Sequence, residues 1–218
     1  NGQFSGTGKQ FNENGVLLYE GLFRDGLYHG EGTLFRGNGS KYISGKWVFG
    51  KPHGPVQFYF PDNGLLQYEG GLKKMDDGSF VFQGQGTLYN QTGQSVYQGL
   101  WEDGTRSGNG TAWLEDGSIY SGNWVDDYPD GKGTYLFPDG TEYEGGFSRG
   151  KKHGQGTFKE ADGFVSYDGE WKDGQRFGKG RVNKRDSSSY DGDWLDGKPH
   201  GQRNVHLSRW TGLHRPSG

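Results

Sequence analysis

An all-β, elongated single-sheet solenoid of about eight consecutive antiparallel β-hairpin repeats is the fold this 218-residue sequence predicts. Three observations predict it. A five-residue phrase of the form Tyr-x-Gly-x-aromatic begins at Tyr19, Ile43, Tyr68, Tyr97, Tyr120, Tyr143, Tyr167 and Tyr190, with steps of 24, 25, 29, 23, 23, 24 and 23 residues. A second phrase, Gly-x-Gly, sits between copies of the first, at Gly6/Gly8, Gly30/Gly32, Gly84/Gly86, Gly108/Gly110, Gly131/Gly133, Gly154/Gly156 and Gly178/Gly180. Finally, 44 Gly and 7 Pro accompany only 29 % hydrophobic residues, yet 16 % of the chain is aromatic. Without a period such a composition reads as disorder. With a period it reads as many tight turns, with Tyr, Trp and Phe supplying the buried surface.

Each repeat is too short and too Gly-rich for a helix pair and reads as two strands. The hairpin units fall at about 4–26, 28–50, 52–78, 82–104, 106–127, 129–150, 152–174 and 176–197, one continuous array with a partial C-terminal cap at 198–218. The register follows if the residue four after the first Gly faces the first residue of the next phrase. Gln10 with Tyr19, Leu34 with Ile43, Leu88 with Tyr97 and Phe158 with Tyr167 then leave two-residue loops, Asn14-Gly15, Asn38-Gly39, Thr92-Gly93 and Asp162-Gly163. Elsewhere a three-residue loop is expected: Asp62-Asn63-Gly64, Glu115-Asp116-Gly117 and Pro138-Asp139-Gly140. Gly ends all seven, as left-handed loop positions require. The eighth loop, ending in Ser187, is the exception. At the end, Trp210-Thr211-Gly212-Leu213-His214 reads as a partial repeat, and Pro216 would stop further pairing.

Alternation along a strand places the Gly-x-Gly glycines on the same face as the phrase residues. The phrase Gly is read as clearance for a large ring from a neighbouring strand. Leu34, Phe58, Leu88, Ala112, Tyr135, Phe158 and Val182 complete this core row. The opposite face of the phrase strand is mostly polar. That of the first strand carries Phe11, Phe35, Tyr59, Tyr89 and Trp113, then Leu136, before turning polar at Lys159 and Asn183. Two accounts fit this aromatic row: a twist that buries both sides locally, or a strip that binds a partner. At about 4.8 Å per strand, eight repeats would make a rod on the order of 75 Å long.

Chemistry finds little purchase. His29, His53, His153 and His200 share one repeat position, and rows roughly 10 Å apart do not converge on a metal. Asp-Gly pairs such as Asp25-Gly26 and Asp103-Gly104 occupy turn positions. The Gly-x-Gly copies precede no helix and so lack the context of a phosphate cradle. No catalytic residue, cofactor or metal is expected. With no Cys, disulfides are excluded, and no long apolar run marks a membrane helix. The first residue is Asn1 and the only Met is Met75, so a piece of a longer protein is expected.

Two irregularities stand out. The 29-residue step adds residues around Lys73–Phe82, read as a binding loop that would bring Phe80 and Phe82 to a partner, or as a lengthened connection. Net charge is −3, but Ser148 to Arg185 holds ten basic residues against five acids. Lys159, Lys179, Arg181 and Arg185 in this stretch could hold anionic headgroups, or simply form a solvated face.

The string Tyr-Glu-Gly-x-Phe/Trp-x-x-Gly-x-x-His-Gly-x-Gly, seen in full at Tyr143–Gly156 and Tyr19–Gly32, resembles the MORN (membrane occupation and recognition nexus) repeat over about residues 4 to 201. Departures are Ile43, the lost glycines at Val56 and Arg203, and the missing His at Ser107, Asp130 and Phe177. The resemblance implies hairpin arrays that serve as scaffolds in cytoskeletal, ciliary and membrane-junction settings, some fused to kinases or methyltransferases. It implies partner peptides held in a groove and, for some members, phosphoinositide binding. The leading expectation is a non-enzymatic, cytoplasmic scaffold at a cytoskeleton, cilium or membrane surface, binding a peptide or helix along its aromatic row. Its alternatives are an anionic-lipid module and the targeting region of a larger enzyme. No nucleic-acid partner is expected from the weakly acidic charge. Exposed end hairpins invite homodimerisation by edge pairing.

Overall fold

The computed structural model describes residues 4–206, with side chains through 201. There is no helix among them. Seventeen strands pair antiparallel in an open sheet. In chain order they are β1 (Gly6–Phe11), β2 (Leu17–Arg24), β3 (Leu27–Phe35), β4 (Lys41–Val48), β5 (Lys51–Tyr59), β6 (Leu66–Lys74), β7 (Phe80–Tyr89), β8 (Ser95–Glu102), β9 (Thr105–Trp113) and β10 (Ile119–Val125). Then follow β11 (Tyr128–Leu136), β12 (Glu142–Ser148), β13 (Lys151–Lys159), β14 (Val165–Lys172), β15 (Gln175–Asn183), β16 (Ser189–Leu195) and β17 (Lys198–His206). Two compact units divide the chain: one up to Glu115 with Ser121–Tyr128, the other Asp116–Tyr120 with residues from Pro129 on.

In both units neighbouring strands meet in the expected register, seen at seven hairpins. In the first, Gln10 faces Tyr19, Leu34 faces Ile43, Phe58 faces Tyr68 and Leu88 faces Tyr97. In the second, Tyr135 faces Tyr143, Phe158 faces Tyr167 and Val182 faces Tyr190.

The loops differ from expectation. Where two-residue loops are expected, three residues span the turn: Arg36 N–H donates to Ser40 O and Glu160 N–H to Phe164 O, each at 2.8 Å. The surplus residue is absorbed in the returning strand as a bulge, so that Phe35 faces Lys41 and Lys159 faces Val165. The loop expected at Asp62-Asn63-Gly64 also takes in Pro61, since Phe60 N–H donates to Leu65 O. Ser187 is less exceptional than its side chain suggests. It holds φ 63° where the other loops place Gly. The type I′ turns lie at the other end of the repeat, where both central residues have positive φ, as in Asp25-Gly26 (53° and 76°) and Asp173-Gly174 (50° and 87°).

The phrase residues form the core: Tyr19, Tyr68, Tyr97, Tyr120, Tyr143, Tyr167, Trp47, Trp101, Trp124, Trp171 and Trp194 are buried. The glycines that admit them are not quite those expected. Six of the Tyr rings lie over the second Gly of the following Gly-x-Gly: a Cβ on Gly32 would overlap the Tyr19 ring, and one on Gly156 the Tyr143 ring. The phrase Gly instead clears the next strand's backbone. A Cβ on Gly21 would lie 2.5 Å from Gly32 Cα and 2.6 Å from Glu31 O. Over these paired glycines the Tyr hydroxyl donates to the carbonyl three residues on, as Tyr97 Oη to Leu100 O (3.1 Å) and Tyr167 Oη to Glu170 O (2.9 Å). The Trp of the next phrase donates to the same glycine's carbonyl, Trp47 Nε1 to Gly32 O (3.1 Å) and Trp171 Nε1 to Gly156 O (2.9 Å).

One repeat breaks this pattern consistently. The phrase that starts with Ile43 has no ring to seat, and Val56 stands where Gly would. Both are buried, at 0 % and 2 % exposure. The missing ring volume is returned from the opposite strand.

The residues around Lys73–Phe82 are not a loop. They lengthen the β6–β7 hairpin, with Leu72 facing Phe82 and Lys74 facing Phe80, and the chain reverses tightly between Met75 and Ser79. Phe82 stacks on Tyr68 with ring centroids 3.9 Å apart, and Phe80 sits 6.4 Å from Trp47. Both phenylalanines belong to the ring face because the two added strand segments keep the alternation of the hairpin. Strand β17 enters the cap region; the partial repeat at Trp210–His214 and Pro216 lie outside the described residues.

The Ile43/Val56 exchange yields a prediction. Ile43→Tyr alone forces a ring into Val56 and should cost about 1–3 kcal/mol. Val56→Gly alone opens a cavity of comparable cost, about 2 kcal/mol. The double variant rebuilds the common seat and should be at least ~1 kcal/mol more stable than the sum of the singles. Urea unfolding of the four proteins measures this; additive losses would contradict the seat.

Candidate functional site

Two faces offer binding chemistry. The polar face carries the aromatic row expected from the sequence. Phe11 is 53 % and Trp113 37 % exposed, while Phe35, Tyr59 and Tyr89 are half-buried. These rings therefore emerge from the sheet rather than being packed away. Lys41 Nζ lies 5.5 Å from the centre of the Tyr59 ring, whose hydroxyl donates to Gln57 Oε1 (2.8 Å). Trp113 borders an opening of about 760 Å³ lined also by Asn90, Gln94, Val96 and Leu114. An opening of about 700 Å³ that also touches Trp113 belongs mainly to the ring face, lined by Phe82, Leu88, Tyr97, Trp101 and Arg106.

The basic residues proposed for anionic lipid are largely spoken for within the sheet. Lys159 Nζ bridges Glu142 (2.7 Å) and Glu144 (2.9 Å), Lys179 pairs with Asp193 (2.6 Å) and Arg185 with Asp162 (2.7 Å). Arg181 donates from Nε to Asn183 Oδ1 (3.0 Å). Arg185 draws the Asp162 carboxyl down to about 2, chiefly through its hydrogen bond. Cross-strand pairing explains Lys159 with Glu142 and Lys179 with Asp193, which stand opposite each other on neighbouring strands, whereas Arg185 and Asp162 meet between adjacent loops.

The ring face holds a row that sequence reasoning passed over. It is the residue two places before the Gly-x-Gly: Tyr28, Phe82, Arg106, Lys152 and Arg176 among others. Its carbonyl accepts the amide of the next repeat's turn, Gly50 to Tyr28 O (2.9 Å), Asp127 to Arg106 O (3.2 Å), Gly174 to Lys152 O (2.9 Å) and Gly197 to Arg176 O (3.1 Å). Its side chain covers the Tyr/Trp layer. In the first unit Tyr28 stacks on Tyr19 at 3.8 Å and Phe82 on Tyr68. Arg106 instead lies 4.2 Å over the Trp124 ring. In the second unit Lys152 sits 5.1 Å over Tyr143 and 4.9 Å over Trp171, and Arg176 4.7 Å over Tyr167 and 5.2 Å over Trp194. Cation and ring are interchangeable here because both present a flat or compact face to the π cloud. The signal was available as the residue immediately before the repeated His, one position from a row that was inspected.

Burial has electrostatic consequences. It pushes the Lys152 ammonium down to about 8, with Arg176 adding to the effect, and it lowers Arg176 as well. The core tyrosines move the other way, since burial disfavours the phenolate: Tyr19, Tyr97 and Tyr167 rise to about 12.

The MORN repeat profile matches residues 19–41, 44–65, 97–119, 120–142, 143–164, 167–182 and 190–202, together more than half of the chain. No curated protein matches the sequence. The matched segments begin at or beside the phrase residues, so the profile tracks the Tyr and Gly positions that build the core.

The opposed shifts predict an unusual pH profile. Lys152 holds its proton less well folded than unfolded (10.5), so stability should rise between about pH 8 and 10 as the buried charge is lost. The tyrosines are raised above their unfolded 10.0, so their contribution is complete below pH 10 and lost as pH climbs toward 12. Urea midpoints at pH 7.5, 8.5 and 9.5 should rise for the natural chain and stay flat, at a higher level, for Lys152→Met. Parallel curves for the two proteins would contradict this.

Proposed function

Because this chain belongs to the MORN repeat family, whose members are typically non-enzymatic modules of protein and membrane interaction, we propose that it is a scaffold that binds a segment of a protein partner along its exposed aromatic row. The observation that carries this reading is Trp113. A large ring, 37 % exposed, borders an opening of about 760 Å³, in line with Phe11, Phe35, Tyr59 and Tyr89. Burial of an exposed aromatic anchor is the commonest source of binding energy at protein interfaces. Regular repeats support the reading in a second way. They place such anchors at fixed intervals on a preformed surface, which lowers the ordering cost of capturing an extended or helical segment. The neutralised basic residues at Lys159, Lys179 and Arg185 favour this over a lipid surface.

Tyr89→Ala with Trp113→Ala removes two anchors without touching the buried phrase residues. The double variant should keep its urea midpoint within about 1 kcal/mol of the natural chain. It should lose at least about 30-fold in affinity for proteins captured by the natural chain, the effect of a lost hot spot of roughly 2 kcal/mol. Equal capture by both would contradict the aromatic row. Binding confined to vesicles that contain phosphoinositide would favour the lipid reading.

A further inference from the structure

The row of cations over rings is not uniform, and the difference points to a ligand. Arg106 has its counter-ion built in. Its Nε lies 2.9 Å from Asp127 Oδ1, a second guanidinium nitrogen donates to Asp127 O (2.8 Å), and its backbone amide donates to the same carboxylate (3.0 Å). Asp127 is the second residue of the type I′ turn in the next repeat. In the second unit that turn position is Gly174 beside Lys152 and Gly197 beside Arg176. Neither Lys152 nor Arg176 forms an ion pair among the described residues. Both are half-buried against Tyr and Trp rings. Beside Arg176 an opening of about 340 Å³ is lined by Phe158, Trp171, Gly174, Asp196 and Gly197.

We propose that the ring face of the second unit binds an acidic protein segment whose carboxylates take, at Lys152 and Arg176, the place that Asp127 occupies at Arg106. A partly desolvated cation with no partner is a costly feature. A carboxylate arriving from outside gains a charge-assisted hydrogen bond there without displacing an internal one. The surroundings fit a protein segment: Phe137 and Phe158, both half-buried, flank Lys152 with its Nζ 4.9 and 4.8 Å from their ring centres, and offer apolar contact between the two charges. The two cations lie one repeat apart, roughly 10 Å at about 4.8 Å per strand. Two acidic residues seven apart on one side of a helix span about 10.5 Å at 1.5 Å per residue. Lys152 feels Arg176, Arg176 feels Tyr167 and Glu160, and Asp196 lines the opening beside Arg176. This site lies in a different unit and on a different face from the aromatic row, so each can fail alone.

The test uses the full chain and a labelled helical peptide with two Glu seven residues apart on an apolar face, followed by fluorescence anisotropy. Lys152→Met and Arg176→Met should each weaken binding about tenfold, the effect of one charge-assisted bond. Gly174→Asp is the sharper variant. A Cβ there meets nothing within 4 Å, and Asp tolerates the left-handed backbone, as Asp127 does at φ 67°. It supplies the missing counter-ion, so it should weaken the peptide about tenfold while leaving the fold intact. The same peptide with Gln for Glu should bind at least tenfold more weakly to the natural chain and be indifferent to all three substitutions. Affinity equal for Glu and Gln peptides, or unchanged by Gly174→Asp and both Met variants, would overturn the proposal. So would binding of phosphatidylinositol-bisphosphate vesicles with none of the peptide.

Discussion

The contact on which the rest of this structure depends is a tyrosine ring lying on a glycine of the next strand. A Cβ at Gly32, Gly86, Gly110, Gly133, Gly156 or Gly180 would overlap the ring it faces, so each second Gly of Gly-x-Gly is reserved by one Tyr. The phrase Gly beside it lets the two backbones pair across the same spot. With ring and backbone so close, the phenol reaches its own strand's carbonyl and the next Trp reaches the glycine carbonyl. Three consecutive strands are thereby joined at a single point. A sheet with one apolar layer cannot bury its rings against a second sheet. It buries them instead against glycine-thinned backbone and against the residue two places before the Gly-x-Gly.

That last residue connects stability to function. It must cover the Tyr/Trp layer, but covering can be done by a ring or by a cation. Tyr28 and Phe82 do it with rings. Arg106 does it with a charge that its neighbour's turn neutralises. Lys152 and Arg176 do it with charges that no ion pair among the described residues neutralises, and their burial works against the charged form.

Much of this was legible in the chain. The period, the alternation and the placement of Gly gave the strand register at Leu34/Ile43, Leu88/Tyr97 and Phe158/Tyr167, because side-chain parity leaves only one face for the rings. Loop geometry was less legible. Counting residues cannot tell a two-residue loop from a three-residue loop followed by a bulge, and the chain uses the latter at Gly39 and Gly163. The stretch around Phe80 and Phe82 read as an interruption because its length broke the period, yet an even extension of both strands preserves every contact around it. The cation row was hidden for a different reason. Lys152 and Arg176 are unremarkable as residues, and their meaning lies in the glycine a repeat away, where Asp127 stands for Arg106.

Burial of the seated tyrosine rings holds their phenols protonated to higher pH than free tyrosine. Absorbance at the phenolate band, recorded with circular dichroism as pH is raised, tests it directly. Tyr19, Tyr28, Tyr68, Tyr97, Tyr143 and Tyr167, all shifted upward by burial, should form a late phase that coincides with loss of the sheet signal. If all thirteen tyrosines ionised in one early phase with the sheet signal unchanged, the ring-on-glycine seat would not be what holds these strands together.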